Sequence, residues 1–97
     1  MKKSLAQSNQ CTSLTLSNLG LTSLFECDRL AHIQYLNVSN NQLKRLSVSL
    51  NALVTLQVLN CDDNQIATIQ KGFKCGQLRV LSLNNNGKII ECTINFI

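Results

Sequence analysis

Few residues in this chain could do chemistry. The candidates are one histidine, His32, five cysteines (Cys11, Cys27, Cys61, Cys75 and Cys92) and one adjacent pair of carboxylates, Asp62 and Asp63. Nucleophilic catalysis needs a serine or cysteine with a base within reach, and none here has a recognisable base at motif spacing. Two adjacent aspartates on a strand point to opposite faces, unlike a matched acid and base. The cysteines contain no close C-x-x-C pair, so zinc would lack paired ligands at short spacing. No phosphate-binding loop occurs. The expectation is that the chain is not an enzyme, with no catalytic residue, metal, cofactor or small-molecule substrate. An odd number of cysteines cannot all pair within one chain. Reduced, mostly buried thiols in a reducing compartment are expected.

What positions these residues is a repeat. In the stretch Tyr35 to Leu46, Leu36 and Val38 alternate with polar residues at strand spacing. Asn41 follows, then Leu43 and Leu46 at a different spacing, so the chain must turn at the asparagine. Numbering each unit from its first apolar position places apolar residues at positions 1, 4, 6, 11 and 14, with asparagine at 9. The first unit reads Cys11, Leu14, Leu16, Leu21 and Leu24, with Leu19 where asparagine is expected. The second reads Ile33, Leu36, Val38, Leu43 and Leu46 with Asn41, and the third Leu56, Leu59, Cys61, Ile66 and Ile69 with Asn64. The fourth begins Leu78, Leu81 and Leu83 with Asn86. Its position 11 falls on Lys88, wrong for a core. Treating Gly87 as a one-residue insertion makes Ile89 and Cys92 the inward pair, and glycine can take the positive φ that a bulge often needs.

Positions 4 and 6 point to one side of a short strand. Successive strands should therefore pair in parallel, with the repeats stacked. Leu30, Leu53 and Cys75 form a further inward column between strands, with Leu50 and Phe73 ahead of it. Cys11, Cys61 and Cys75 thus fill sites taken by aliphatic residues in sister repeats and read as core; Cys27 lies in a return segment. Asparagine carries both a donor and an acceptor, so Asn41, Asn64 and Asn86 are expected to form a structural ladder that satisfies the backbone where it turns.

The pattern L-x-x-L-x-L-x-x-N-x-L-x-x-L resembles the leucine-rich repeat family, and the resemblance runs from Cys11 to about Cys92. The short period and the lead-in Leu30, Ile33, Leu36 are similar to its 22-residue intracellular class, typified by a regulatory subunit of a Ser/Thr protein phosphatase. The resemblance implies an α/β solenoid, a right-handed superhelix of about four repeats. A short parallel β-sheet would line its concave face, with 3₁₀ or short helical turns on the convex side. The expected organisation is a weak or poorly ordered N-terminal cap at residues 1–10, then an array over 11–97 with repeats starting near 11, 33, 56 and 78. Ile94, Phe96 and Ile97 are apolar, and the chain stops just before a fifth repeat would begin, so truncation of the array at its C-terminus is part of the expectation.

The 97 residues carry a net charge of +4. The basic residues are scattered rather than concentrated with stacking aromatics, which argues against nucleic acid and for ordinary solubility charge. No apolar run follows Lys2 and Lys3 as a secretory signal would require, and no window has transmembrane length. A cytoplasmic location, with the nucleus also open, and no membrane partner are expected. The sequon Asn37-Val38-Ser39 has no secretory context and would obstruct the concave face.

Function is then expected on the outward strand residues: Tyr35, Asn37, Ser39, Val58, Asn60, Asp62, Val80, Ser82 and Asn84. Tyr35, Val58 and Val80 form a partly apolar column of the composition found at interaction hot spots, although β-branched residues also simply favour strands. Asp62 and Asp63 add a negative spot suited to a basic group. The expected function is a non-catalytic module that binds a protein partner through the concave face. The alternative is a fragment of a longer array, or a scaffold that self-associates through uncapped ends.

Overall fold

The computed structural model describes residues 12–24, 27–88 and 91–92. Expectations for residues 1–10, Cys11, Ile89, Ile94, Phe96, Ile97 and the Cys92 side chain fall outside these. Seven short strands follow one another, β1 (Ser13–Thr15), β2 (Tyr35–Asn37), β3 (Arg45–Leu46), β4 (Val58–Asn60), β5 (Thr68–Ile69), β6 (Val80–Ser82) and β7 (Glu91–Cys92). Strands β1, β2, β4 and β6 form one parallel sheet in that order. Its register is that of the leucine spacing: Leu14 faces Leu36, Leu36 faces Leu59, and Leu59 faces Leu81. The chain is a solenoid of stacked repeats. Its helical content among the described residues is two 3₁₀ turns, Cys27–Leu30 and Val48–Ala52, and no α-helix is present there.

A second parallel sheet, in the order β3, β5, β7, runs along the return side. Only turns are expected there from the sequence. These two-residue strands form because position 14 recurs at constant spacing, with Leu46 and Ile69 inward, so the backbone beside it meets its counterpart in the next repeat. Ile69 pairs with Cys92, which places the extra residue of the fourth repeat between Asn86 and β7. The reason is not the one expected for Gly87. The positive-φ glycines are Gly20 and Gly72, so the slip is absorbed without a left-handed glycine.

The core is one aliphatic column per position. Leu36, Val38, Leu46, Leu50, Leu53, Leu56, Leu59, Cys61, Ile66 and Phe73 are all buried. Cys27 is buried too. The signal lay in the sequence: Cys27 precedes Leu30 by three residues, as Leu50 precedes Leu53. The expected departure at Leu19 has a plain outcome, since that side chain is 58% exposed.

Three asparagines tie each repeat to the one before it. Asn41 Oδ1 accepts from Leu19 N and Leu21 N at 3.0 and 2.9 Å, and its Nδ2 donates to Leu16 O and Val38 O at 3.0 and 2.9 Å. Asn64 Oδ1 accepts from Leu43 N at 3.0 Å, and its Nδ2 donates to Val38 O and Cys61 O at 3.0 and 3.1 Å. Asn86 Oδ1 accepts from Ile66 N, and its Nδ2 donates to Cys61 O, both at 2.9 Å. Each amide therefore spans two repeats, beyond the local turn that sequence reasoning assigns it. Buried backbone groups left open by two-residue and three-residue strands need such partners.

The residue before each of these asparagines, and before Leu19 in the first repeat, solves a second problem. Asn18, Asn40, Asp63 and Asn85 have φ of 59°, 55°, 57° and 59°. All four sit at position 8, where the strand ends and the chain turns. Left-handed backbone is unfavourable for most L-residues but tolerated by Asn and Asp. Asp63 is thus a turn residue, and its Oδ1 accepts from Asn85 Nδ2 at 3.0 Å.

Candidate protein-interaction face

The pleat of the four-stranded sheet sends Leu14, Leu36, Leu59 and Leu81 inward and positions 3 and 5 outward. The outward neighbours of position 3 are in direct register: Tyr35 beside Val58, and Val58 beside Val80. Tyr35 is 43% exposed and Val80 51% exposed, with Val58 half-buried between them. A shallow depression of about 210 Å³ is lined by Tyr35, Asn37, Val58 and Asn60, among others.

The polar residues of this face are partly committed to its own backbone. Asn37 Oδ1 accepts from Ser39 N, and Asn60 Oδ1 accepts from Asp62 N, both at 2.9 Å. In the fourth repeat Ser82 replaces the asparagine, and a neighbouring repeat supplies the missing acceptor. Asp62 Oδ1 accepts from Asn84 N at 2.8 Å and from the Ser82 hydroxyl at 2.5 Å. Asn84 Nδ2 also reaches Ser82 Oγ at 3.3 Å. This link exists only once repeats three and four are side by side.

Ser39 does not share the face. It is only 8% exposed, whereas its counterparts Asp62 and Asn84 in the next two repeats are half-buried and exposed. Its carbonyl accepts from Asn41 Nδ2 at 3.1 Å and from Asn18 N at 3.3 Å. Ser39 therefore belongs to the turn, while Asn37, Asn60, Asp62 and Ser82 are half-buried and Asn84 is exposed.

The Ser82 hydroxyl is the main cause holding the Asp62 carboxyl below its ordinary value; partial desolvation opposes it, and the Asn84 donors add to it. A depressed folded pKa gives stability that is present above the ordinary carboxylate value and lost as pH falls through the folded one. Ser82→Ala is expected to move the Asp62 midpoint upward, toward its ordinary value, in a carboxyl carbon NMR titration. An unchanged midpoint would show that the hydroxyl does not set it.

The thiols are chemically quiet. Burial is the main cause that pushes Cys61 up to about 12 and Cys75 up to about 11, and burial raises Cys27 as well. All three are free and buried, and a neutral thiol is a poor nucleophile. Among the described residues, no group of three His, Cys, Asp or Glu side chains could hold a metal ion. No described helix is long and apolar enough to cross a membrane.

Comparison with known proteins fits this architecture. Residues 32–53, the stretch with the most regular spacing, match the family described as Leucine Rich Repeat. Over 73 residues, 75% of the chain, the sequence is 36% identical to a geranylgeranyl transferase type-2 subunit alpha from Sus scrofa. The chain spans 13% of that relative's length. With the matched unit repeated along the chain in a parallel, in-register stack, this is a leucine-rich-repeat protein.

Proposed function

We propose that the chain is a non-catalytic module that binds a protein partner through the outward face of its four-stranded sheet. Leucine-rich-repeat domains generally mediate protein–protein interaction. The observation that carries the finer reading is the in-register column Tyr35–Val58–Val80, two of whose members are large hydrophobics left exposed. Aromatic anchors flanked by apolar neighbours are where binding energy concentrates. Asp62 supplies a fixed negative group at the far end of the strands, suited to a lysine or arginine of the partner. The surrounding Asn37, Asn60, Ser82 and Asn84 offer a polar rim. A reducing, cytoplasmic setting belongs to the same reading and suits the three free thiols.

The relative is named as a subunit of a transferase. We infer from this an accessory role within a larger assembly, rather than a transferase activity for this chain. Support comes from the short share of the relative that is matched.

The experiment is a co-precipitation from cell extract with wild type, Tyr35→Ala and Val58→Asp, each first shown to melt as wild type does. A partner held by wild type should be lost from both variants, an affinity loss of about 2 kcal/mol or more for a hot-spot residue. Retention of every partner by both variants would refute this face.

A further inference from the structure

The three asparagine clamps differ in the residue that follows. Asn41 and Asn64 precede Gln42 and Gln65, whereas Asn86 precedes Gly87, and no other asparagine of the chain precedes glycine. We propose that Asn86 is a site of spontaneous deamidation, and that its conversion unfastens the return half of the fourth repeat from the third.

The chemistry needs only water. The Gly87 backbone nitrogen attacks Asn86 Cγ, an N–C bond forms, the Cγ–Nδ2 bond breaks, and ammonia leaves. The proton lost from the Gly87 nitrogen passes through solvent to balance the leaving amine. Water then opens the resulting five-membered imide at either carbonyl, giving aspartate or its backbone-shifted isomer. A side chain on the following residue obstructs the attack, and glycine has none. The net change is asparagine plus water to aspartate plus ammonia.

The structure places this reactive pair at the most accessible clamp. Asn41 and Asn64 are each 7% exposed, whereas Asn86 is half-buried and Gly87 is exposed. One extra residue separates Asn86 from β7, compared with the spacing of Asn64 from Ile69, and β7 is a two-residue edge strand. A two-residue strand at the edge of a sheet opens locally far more often than a core does. Opening matters because the Asn86 amide must leave Ile66 N and Cys61 O before Cγ can meet the Gly87 nitrogen.

Glycine is not demanded by the backbone here. Gly87 is not among the positive-φ residues, and an added Cβ would meet only Ile66 O at 3.5 Å and Ala67 Cβ at 3.7 Å, both ordinary contacts. A carboxylate at position 86 can still accept from Ile66 N, but it cannot donate to Cys61 O. The backbone-shifted isomer also adds a main-chain atom ahead of the pairing of Thr68 with Glu91 and Ile69 with Cys92.

The test incubates the folded chain in mildly alkaline buffer and maps deamidation by peptide mass, beside Gly87→Gln and Asn86→Asp variants. Asn86 is expected to convert at least about tenfold faster than Asn64. Gly87→Gln should abolish that lead while melting as wild type does. Aged wild type and Asn86→Asp should both melt below fresh wild type. Equal conversion of Asn86 and Asn64 would overturn the site, and a fully converted chain with unchanged melting would overturn its structural consequence.

Discussion

Asn64→Leu should destabilise the chain by about 1–3 kcal/mol for each buried group it leaves unpaired. Leucine keeps the branching of asparagine at Cγ, although it is bulkier, so the loss is chiefly one of hydrogen bonds. Leu43 N would lose its acceptor, Asn64 Oδ1. Val38 O would keep only the donor from Asn41, and Cys61 O only the donor from Asn86. At about 4–8 °C per kcal/mol for a domain of this size, the melting temperature should fall well outside experimental error. A melt superimposable on wild type would remove Asn64 from the structural role proposed for it. Because its bonds join the second repeat to the third, the transition should also broaden as neighbouring units lose their coupling.

Phe73→Ala is expected to cost more, about 3–5 kcal/mol. Phe73 is the bulkiest of the fully buried side chains and is 2% exposed. Among the described residues its column continues through Leu50 and Cys27, both smaller side chains that are buried. The loss approaches the whole stability of a small domain, about 5–15 kcal/mol. Phe73→Leu, which copies Leu50, should recover most of it. Urea unfolding of the two variants distinguishes the cases: the midpoint should drop steeply for alanine and modestly for leucine, with little change in slope for the latter. Equal midpoints would mean that the return segment packs loosely and that the strand side alone carries the core.

The leucine spacing made the larger sheet legible down to its register, because inward residues of a parallel stack must lie at equal intervals. The same spacing located the fourth-repeat slip through Cys92, which pairs with Ile69 as the inserted residue requires. Three things escaped it. The smaller sheet depends on hydrogen bonds between two-residue segments that carry no alternation of their own. The column Asn18, Asn40, Asp63 and Asn85 is carried by residue type, but it lies beside ladder positions of the same type, so composition alone does not separate the two roles. The Asp62–Ser82–Asn84 link joins two repeats, so neither repeat alone contains its signal. Ser39, two residues past the end of β2 at Asn37, is buried while Asp62 and Asn84 at the same repeat position are not, a difference that the repeat pattern does not carry.

For the binding face, the clean contrast is between two exposed hydrophobics on opposite sides of the solenoid. Tyr35 is 43% exposed in the sheet column, and Val54 is 59% exposed in a return turn. If exposure alone drove association, Val54 would be the better contact. The decisive measurement is photo-crosslinking in cells with a benzophenone amino acid placed in turn at position 35 and position 54. The proposed function predicts a discrete protein adduct from position 35 and none from position 54. Adducts from position 54 alone would contradict it and move the interaction to the return side.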